Sequence, residues 1–212
     1  MAVFAAFRRL RLIPLLVAAI TAGALMPGAA GAASEAAQRI AAHFSSVRTM
    51  TGEFVQFGPR GEQTGGKFYL ERPGKLRFDY EGSAGFQVIS DGTSVVVKND
   101  KLNTADIYPL SKTPLKLLLD ERIDLSGERV TSVDQNEDLT TVKLADRQVF
   151  GSSTITMMFD AESYDLRQWT ITDAQGKDTT VMIFNVQQGV TFDPSVFEIN
   201  YRRVNQLNRA RN

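Results

Sequence analysis

From Thr49 onward the chain alternates apolar and polar positions with a period of two, and clusters of Gly, Asp, Asn and Pro interrupt the alternation. The sharpest instance is residues 65–80, GGKFYLERPGKLRFDY, which read as a hairpin. Gly66, Phe68 and Leu70 share one face of its first strand, and Leu76, Phe78 and Tyr80 share the same face of its second. Between them Pro73 fixes φ and lacks an N–H, and Gly74 tolerates positive φ, so Arg72 stands at a bend on the rim of an apolar face. Further runs at 86–90, 93–97, 102–108, 127–133, 139–145, 154–159, 166–172 and 179–186 follow the same rhythm, and Asp91-Gly92 is a strong hairpin signal. The count is about ten strands in a meandering antiparallel sheet, large enough that it must curl or split.

Two stretches break the rhythm toward helical spacing. Residues 34–47 carry a capping Ser34, Glu35 in the first turn, and Ile40, Phe44 and Val47 on one stripe, which predicts an amphipathic helix. Residues 113–120 pair Thr113 as cap with Pro114 at the first helical position, followed by Leu115, Leu117, Leu118 and Leu119. These leucines are too dense for a solvated connection and call for an apolar surface beneath them. Phe192, Phe197 and Ile199 predict a last short edge strand, and residues 202–212 read as a polar, frayed end.

Residues 1–33 have Arg8, Arg9 and Arg11, an apolar run from Leu12 to Leu25 and a small-residue end at Ala30-Gly31-Ala32-Ala33, the layout of a cleaved signal peptide. Residues 34–212 then form one domain. Removing three arginines and no acid leaves 21 basic against 24 acidic residues, a net charge of −3. A balance this even, with no basic block, argues against nucleic acid as partner. Without cysteine the chain has no disulfide, no thiol chemistry and no lipid-modified Cys of its own.

The residues offer little catalytic chemistry. His43 lies on the first helix, no His/Cys group suits a metal, and no cofactor motif occurs. Glu53, Asp79, Asp91 and Asp160 are numerous enough for a hydrolase-like carboxylate pair, although most sit in turn contexts. The larger signal is an apolar surplus: Phe54, Phe68, Leu70, Leu76, Phe78, Tyr80, Phe86, Val88, Met157, Phe159, Trp169, Ile171, Met182 and Phe184 are candidates for one shared face. Such a face is either a filled core or the wall of a cavity, and the pattern alone leaves both open.

Phe54-Val55-Gln56, the segment from Gly66 to Tyr80, Val88 to Gly92, Thr113 to Leu118, and Thr170 to Gly176 followed by Thr179-Thr180 together resemble the outer-membrane lipoprotein carrier (LolA) family, over nearly all of residues 34–212. The resemblance implies a mainly β fold: an unclosed half β-barrel of about eleven strands covered by helices. It also implies that the shared apolar face lines a cavity for lipoprotein acyl chains. Arg72 would then latch a lid that includes Pro114, Leu115, Leu117, Leu118 and Leu119, and Leu76 would lie where the family meets its inner-membrane partner. Leu76 and Phe78 replace aromatic residues of well-studied members, Phe78 standing for a Trp, and the Pro-x-Gly-Val ending is missing. By the same resemblance the protein is a non-enzymatic periplasmic monomer that accepts acylated lipoproteins from an inner-membrane ABC transporter and passes them to an outer-membrane receptor or membrane. A lipoprotein-sensing regulator of the same fold and a carboxylate hydrolase are the alternatives.

Overall fold

The computed structural model describes residues 29–82, 85–123, 125, 129–145 and 151–211; positions 1–28 of the predicted signal peptide lie outside them. Eleven antiparallel strands form one sheet: β1 (Thr49–Phe57), β2 (Gln63–Glu71), β3 (Lys75–Tyr80), β4 (Phe86–Asp91), β5 (Ser94–Asn99), β6 (Thr104–Pro109), β7 (Val130–Gln135), β8 (Leu139–Ala145), β9 (Thr154–Asp160), β10 (Leu166–Thr172) and β11 (Asp178–Gln188). Their spatial order is β6-β5-β4-β3-β2-β1-β11-β10-β9-β8-β7, so two meanders are joined only where β1 pairs with β11. Among the described residues the edges β6 and β7 do not pair, and the barrel stays open.

That order dictates where the β6–β7 connection runs. The chain leaving edge β6 must reach the opposite edge β7, and the connection crosses the concave side through a 3-10 turn at Leu110–Lys112 and helix α2 (Leu115–Leu119). Helix α1 (Ala29–Ser46) lies on the same side, with Ala37, Ile40 and Phe44 in the main core. It begins before Ser34, so that residue lies within the helix and not at its cap. Thr113 does not cap α2 either: its hydroxyl donates back to the Leu110 carbonyl, closing the 3-10 turn, and Pro114 holds the N-cap position.

The C-terminal expectations need correction. Pro194–Phe197 is a 3-10 turn capped by the Asp193 side chain, not an edge strand, and residues 201–211 form helix α3 (Tyr201–Arg211) where a frayed end was predicted. Both pack on the convex face. Phe192 meets Tyr69, the Arg77 guanidinium donates to the Val196 carbonyl, and Ile199 and Val204 join Ile89, Val96 and Ala105 in a second small core. The segment is anchored because strands β4 and β5 carry apolar side chains on both faces and Ala105 of β6 adds to the convex one.

Candidate functional site

Register in the β2–β3 hairpin pairs Leu70 with Leu76, Phe68 with Phe78 and Gly66 with Tyr80, so these residues share the concave face as their alternation requires. Opposite them Lys67, Tyr69 and Glu71 pair with Asp79, Arg77 and Lys75 on the convex side. On the concave side Phe54 packs edge-on to Phe78 and Tyr80 at 4.7 and 4.9 Å between ring centroids, and Trp169 lies 6.1 Å from Phe78. Met157 and Phe159 are fully buried in the same cluster, and Tyr80 and Val88 are half-buried against it. Phe86 is half-buried at its margin, 4.7 Å from the Tyr80 ring. The Tyr80 hydroxyl donates to Gln56, and burial pushes its pKa up to about 12.

Met182 and Phe184 do not belong to this face. They are 44% and 42% exposed, while Val181 and Ile183 turn inward. Pairing explains the inversion: Phe54, which points inward, stands opposite Ile183, and Val55, which points outward, stands opposite Met182. Because the run Val181-Met182-Ile183-Phe184 is apolar on both faces, its own pattern carries no sidedness, and the neighbouring strand decides it.

Helix α2 closes over the face. Leu117, Leu118 and Leu119 are buried and Leu115 packs against the same core. Leu118 and Leu119 meet Phe68, Leu70, Leu76 and Trp169 across a residual void of about 10 Å³ whose other walls are Phe44, Met50 and Leu166. Sequence reasoning missed the last three as site residues. Phe44 lies on the apolar stripe of α1 and Met50 follows the alternation of β1, so both were accessible to it. Leu166 was not: a register shift between Leu166 and Gln168 turns it to the side of Trp169, against strict alternation.

The turn of the hairpin supplies the fastening. Arg72 is 3% exposed, and its guanidinium donates to the carbonyls of Val47 and, at 3.0 Å, Leu118, while lying 4.2 Å above the centre of the Phe44 ring. Its backbone N–H donates to the Arg48 carbonyl, and the N–H of Gly74 donates to Leu119. Val47 follows the end of α1 and Leu118 lies in the last turn of α2, so the cation sits on carbonyls that helix ends leave without intrahelical partners. Among the described residues no carboxylate pairs with it, and its Nε has no partner. Burial, and secondarily the charge of Arg48, lowers its pKa to about 10, which leaves it cationic at neutral pH. A buried cation held by neutral carbonyls is a fastening with a built-in electrostatic cost.

The carboxylates considered for hydrolysis have local duties. Asp79 accepts from Arg77 and Gln87, Asp91 from the N–H groups of its own turn and from Tyr201, Asp160 from its turn and Arg167, and Glu53 from Asn185. Among the described residues no cluster of three His, Cys, Asp or Glu side chains has the arrangement to hold a metal ion, and no helix is long and apolar enough to cross a membrane.

Comparison with known proteins agrees with this geometry. The family model described as outer membrane lipoprotein carrier protein LolA matches residues 45–200. A protein of Methylococcus capsulatus called outer-membrane lipoprotein carrier protein is 26% identical over 171 residues, covering 76% of this chain and 82% of its own length. One of the same name from Chromohalobacter salexigens is 27% identical over 191 residues, covering 84% and 89%. A solved structure, a DUF1329 family protein from Desulfovibrio piger, superposes with a TM-score of 0.50 at 11% identity over 81% of this chain and 98% of its own, a likeness of fold. With the family model spanning most of its length and the eleven-stranded open sheet beneath helices α1 and α2, the chain belongs to the outer-membrane lipoprotein carrier (LolA) family, whose members are carriers and not enzymes.

Proposed function

We propose that this protein shelters the acyl chains of lipoproteins between its concave sheet face and helix α2, and carries them through the periplasm from the inner to the outer membrane. The observation that carries the reading is the placement of Arg72, whose one guanidinium ties the ends of α1 and α2 together over an all-apolar face. A void of about 10 Å³ admits no acyl chain, whereas ligand pockets usually measure about 300 to 1,000 Å³. In this reading the lid is closed as described, and loading requires α2 to lift.

The energies permit this. Exposing the three buried leucines of α2 costs about 1.5 to 3 kcal/mol each, or about 5 to 9 kcal/mol together. An acyl chain regains about 0.8 kcal/mol for each methylene it buries, so about a dozen methylenes offset the loss. Because the two sums are close, cargo binds without becoming trapped, and the latch sets the balance between closed-empty and open-loaded states.

In this reading residues 1–33 are the export signal, Arg72 is the latch, and Phe54, Phe68, Leu70, Leu76, Phe78, Tyr80, Met157, Phe159 and Trp169 become the wall of the opened cavity, with Phe86 and Val88 at its margin. Leu76 is buried when the lid is closed, so contact with an inner-membrane releasing transporter through Leu76 belongs to the open state. The working unit is a monomer that hands its cargo to an outer-membrane receptor or directly to the membrane. The test is extraction: purified protein added to inner-membrane vesicles bearing acylated lipoprotein and an energised releasing transporter should bring lipoprotein into the soluble fraction as a one-to-one complex. Lipoprotein that stays with the vesicles overturns the reading.

A further inference from the structure

A second hollow of about 130 Å³ lies between the end of α1, the start of β10 and the end of β11. It is lined by Phe44, Met50 and Leu166, the same three residues that wall the small void beneath the lid. Val186 and the backbone at Phe184 run along one side, and both residues are exposed. The rest of the lining is polar: Asp165, which accepts from Gln188 at 2.8 Å and lies 3.0 Å from His43, together with Arg167 and Asn185. One layer of apolar side chains thus separates the groove from the closed cavity.

The backbone is shaped for this opening. The pairing of β1 with β11 slips between Thr51 and Glu53, and Asn185 takes φ of 51°, so β11 bulges beside the groove. Gly52 permits the bulge: a Cβ there would stand 2.8 Å from the Phe184 carbonyl oxygen and 2.9 Å from the Phe68 ring. The wall is also tied to the latch, since Phe44 carries the Arg72 guanidinium on its face. When Arg72 leaves Val47 and Leu118, the same movement removes the cation that pins Phe44.

We propose that this groove is a side port for the methyl end of a long acyl chain, opened when Phe44 swings away and flanked by Val186. The inference rests on the carrier reading and adds to it a direction: the chain enters under α2 and its tail emerges between α1 and β11. Continuity of the floor residues Phe44, Met50 and Leu166 with the lidded cavity favours an acyl tail as the occupant.

The absence of native cysteine makes single-cysteine reporters clean. Val186→Cys and, as an outer-face control, Met182→Cys are labelled with bimane and loaded with stearate carrying a nitroxide near its methyl end or near its carboxyl end. Loading is read independently from quenching of Trp169. The methyl-end nitroxide should quench bimane at 186 several-fold more than the carboxyl-end nitroxide, and neither should quench at 182. In unlabelled protein, Val186→Arg should weaken stearate binding about tenfold, the worth of two buried methylenes, and leave decanoate binding unchanged. If stearate loads and 186 stays silent, or both nitroxides quench it equally, the side port is overturned while the carrier reading stands. If stearate does not load at all, the carrier reading fails and the port with it.

Discussion

Replacing Arg72 by Leu removes the fastening while keeping an apolar side chain against Phe44. Two hydrogen bonds from a charged donor, to Val47 and Leu118, are worth about 1.5 to 3 kcal/mol each. Against them stands the cost of burying the cation, expressed in its pKa near 10 against an ordinary 12.5; at about 1.4 kcal/mol per unit this is about 3 kcal/mol. The mid-range net is about 1.5 kcal/mol in favour of the closed lid, roughly tenfold in the closed-to-open ratio. Since the closed empty state competes with loading, Arg72→Leu should bind a fluorescent fatty acid up to about tenfold more tightly. Its partition between protein and acceptor vesicles should shift toward protein by the same factor. Arg72→Lys, which keeps the charge but loses the two-pronged fork, should fall between. Titration with the fatty acid, followed by mixing with vesicles, measures both quantities. Unchanged or weaker binding by a variant that still melts cooperatively would refute the latch.

Other outcomes follow from the same contacts. Leu118→Ala removes a buried lid side chain and should lower the melting temperature, with a loss of about 2 to 5 kcal/mol for the closed state, while speeding fatty-acid uptake in stopped flow. Gly66→Ala should prevent folding or cause a severe loss of circular-dichroism signal, because its Cβ would overlap the Asp79 carbonyl oxygen in the paired strand. Tyr80, with its pKa raised by burial to about 12, should be the last tyrosine to ionise in an ultraviolet titration, and Tyr80→Phe should delete that final step. The sign is fixed by linkage: the unfolded phenol deprotonates near 10, so Tyr80 contributes stability below that pH and loses it as pH rises toward 12.

The β strands were legible because most are apolar on one face only, and period two then fixes both their existence and their sidedness. The hairpin of β2 and β3 is the best case, since its alternation, its Arg-Pro-Gly turn and its register agree. Where both faces are apolar, as at Val181 to Phe184, the sequence named a strand but not its orientation, and pairing with β1 settled the matter against Met182 and Phe184. Leu166 was hidden by a register shift, which no alternation rule anticipates. Helix α3 was missed because Val204 and Leu207 are too sparse a stripe to predict a helix; it forms because Ile89, Val96 and Ala105 give that stripe a surface. Arg72 was visible as a residue at a bend. Its burial on the carbonyls of Val47, just past α1, and Leu118, in α2, depends on how both helices lie over the sheet, which no local pattern shows.

Trp169 tests the central claim with no mutation, because it is the single tryptophan of the chain, 5% exposed, and faces the void that cargo must widen. Palmitate brominated along its chain should quench Trp169 emission saturably and nearly completely at one equivalent, and plain palmitate should not. Brominated palmitate that binds, by an independent measure such as equilibrium dialysis, while Trp169 emission stays unchanged would mean that the apolar face is a permanently filled core and that acyl chains travel elsewhere.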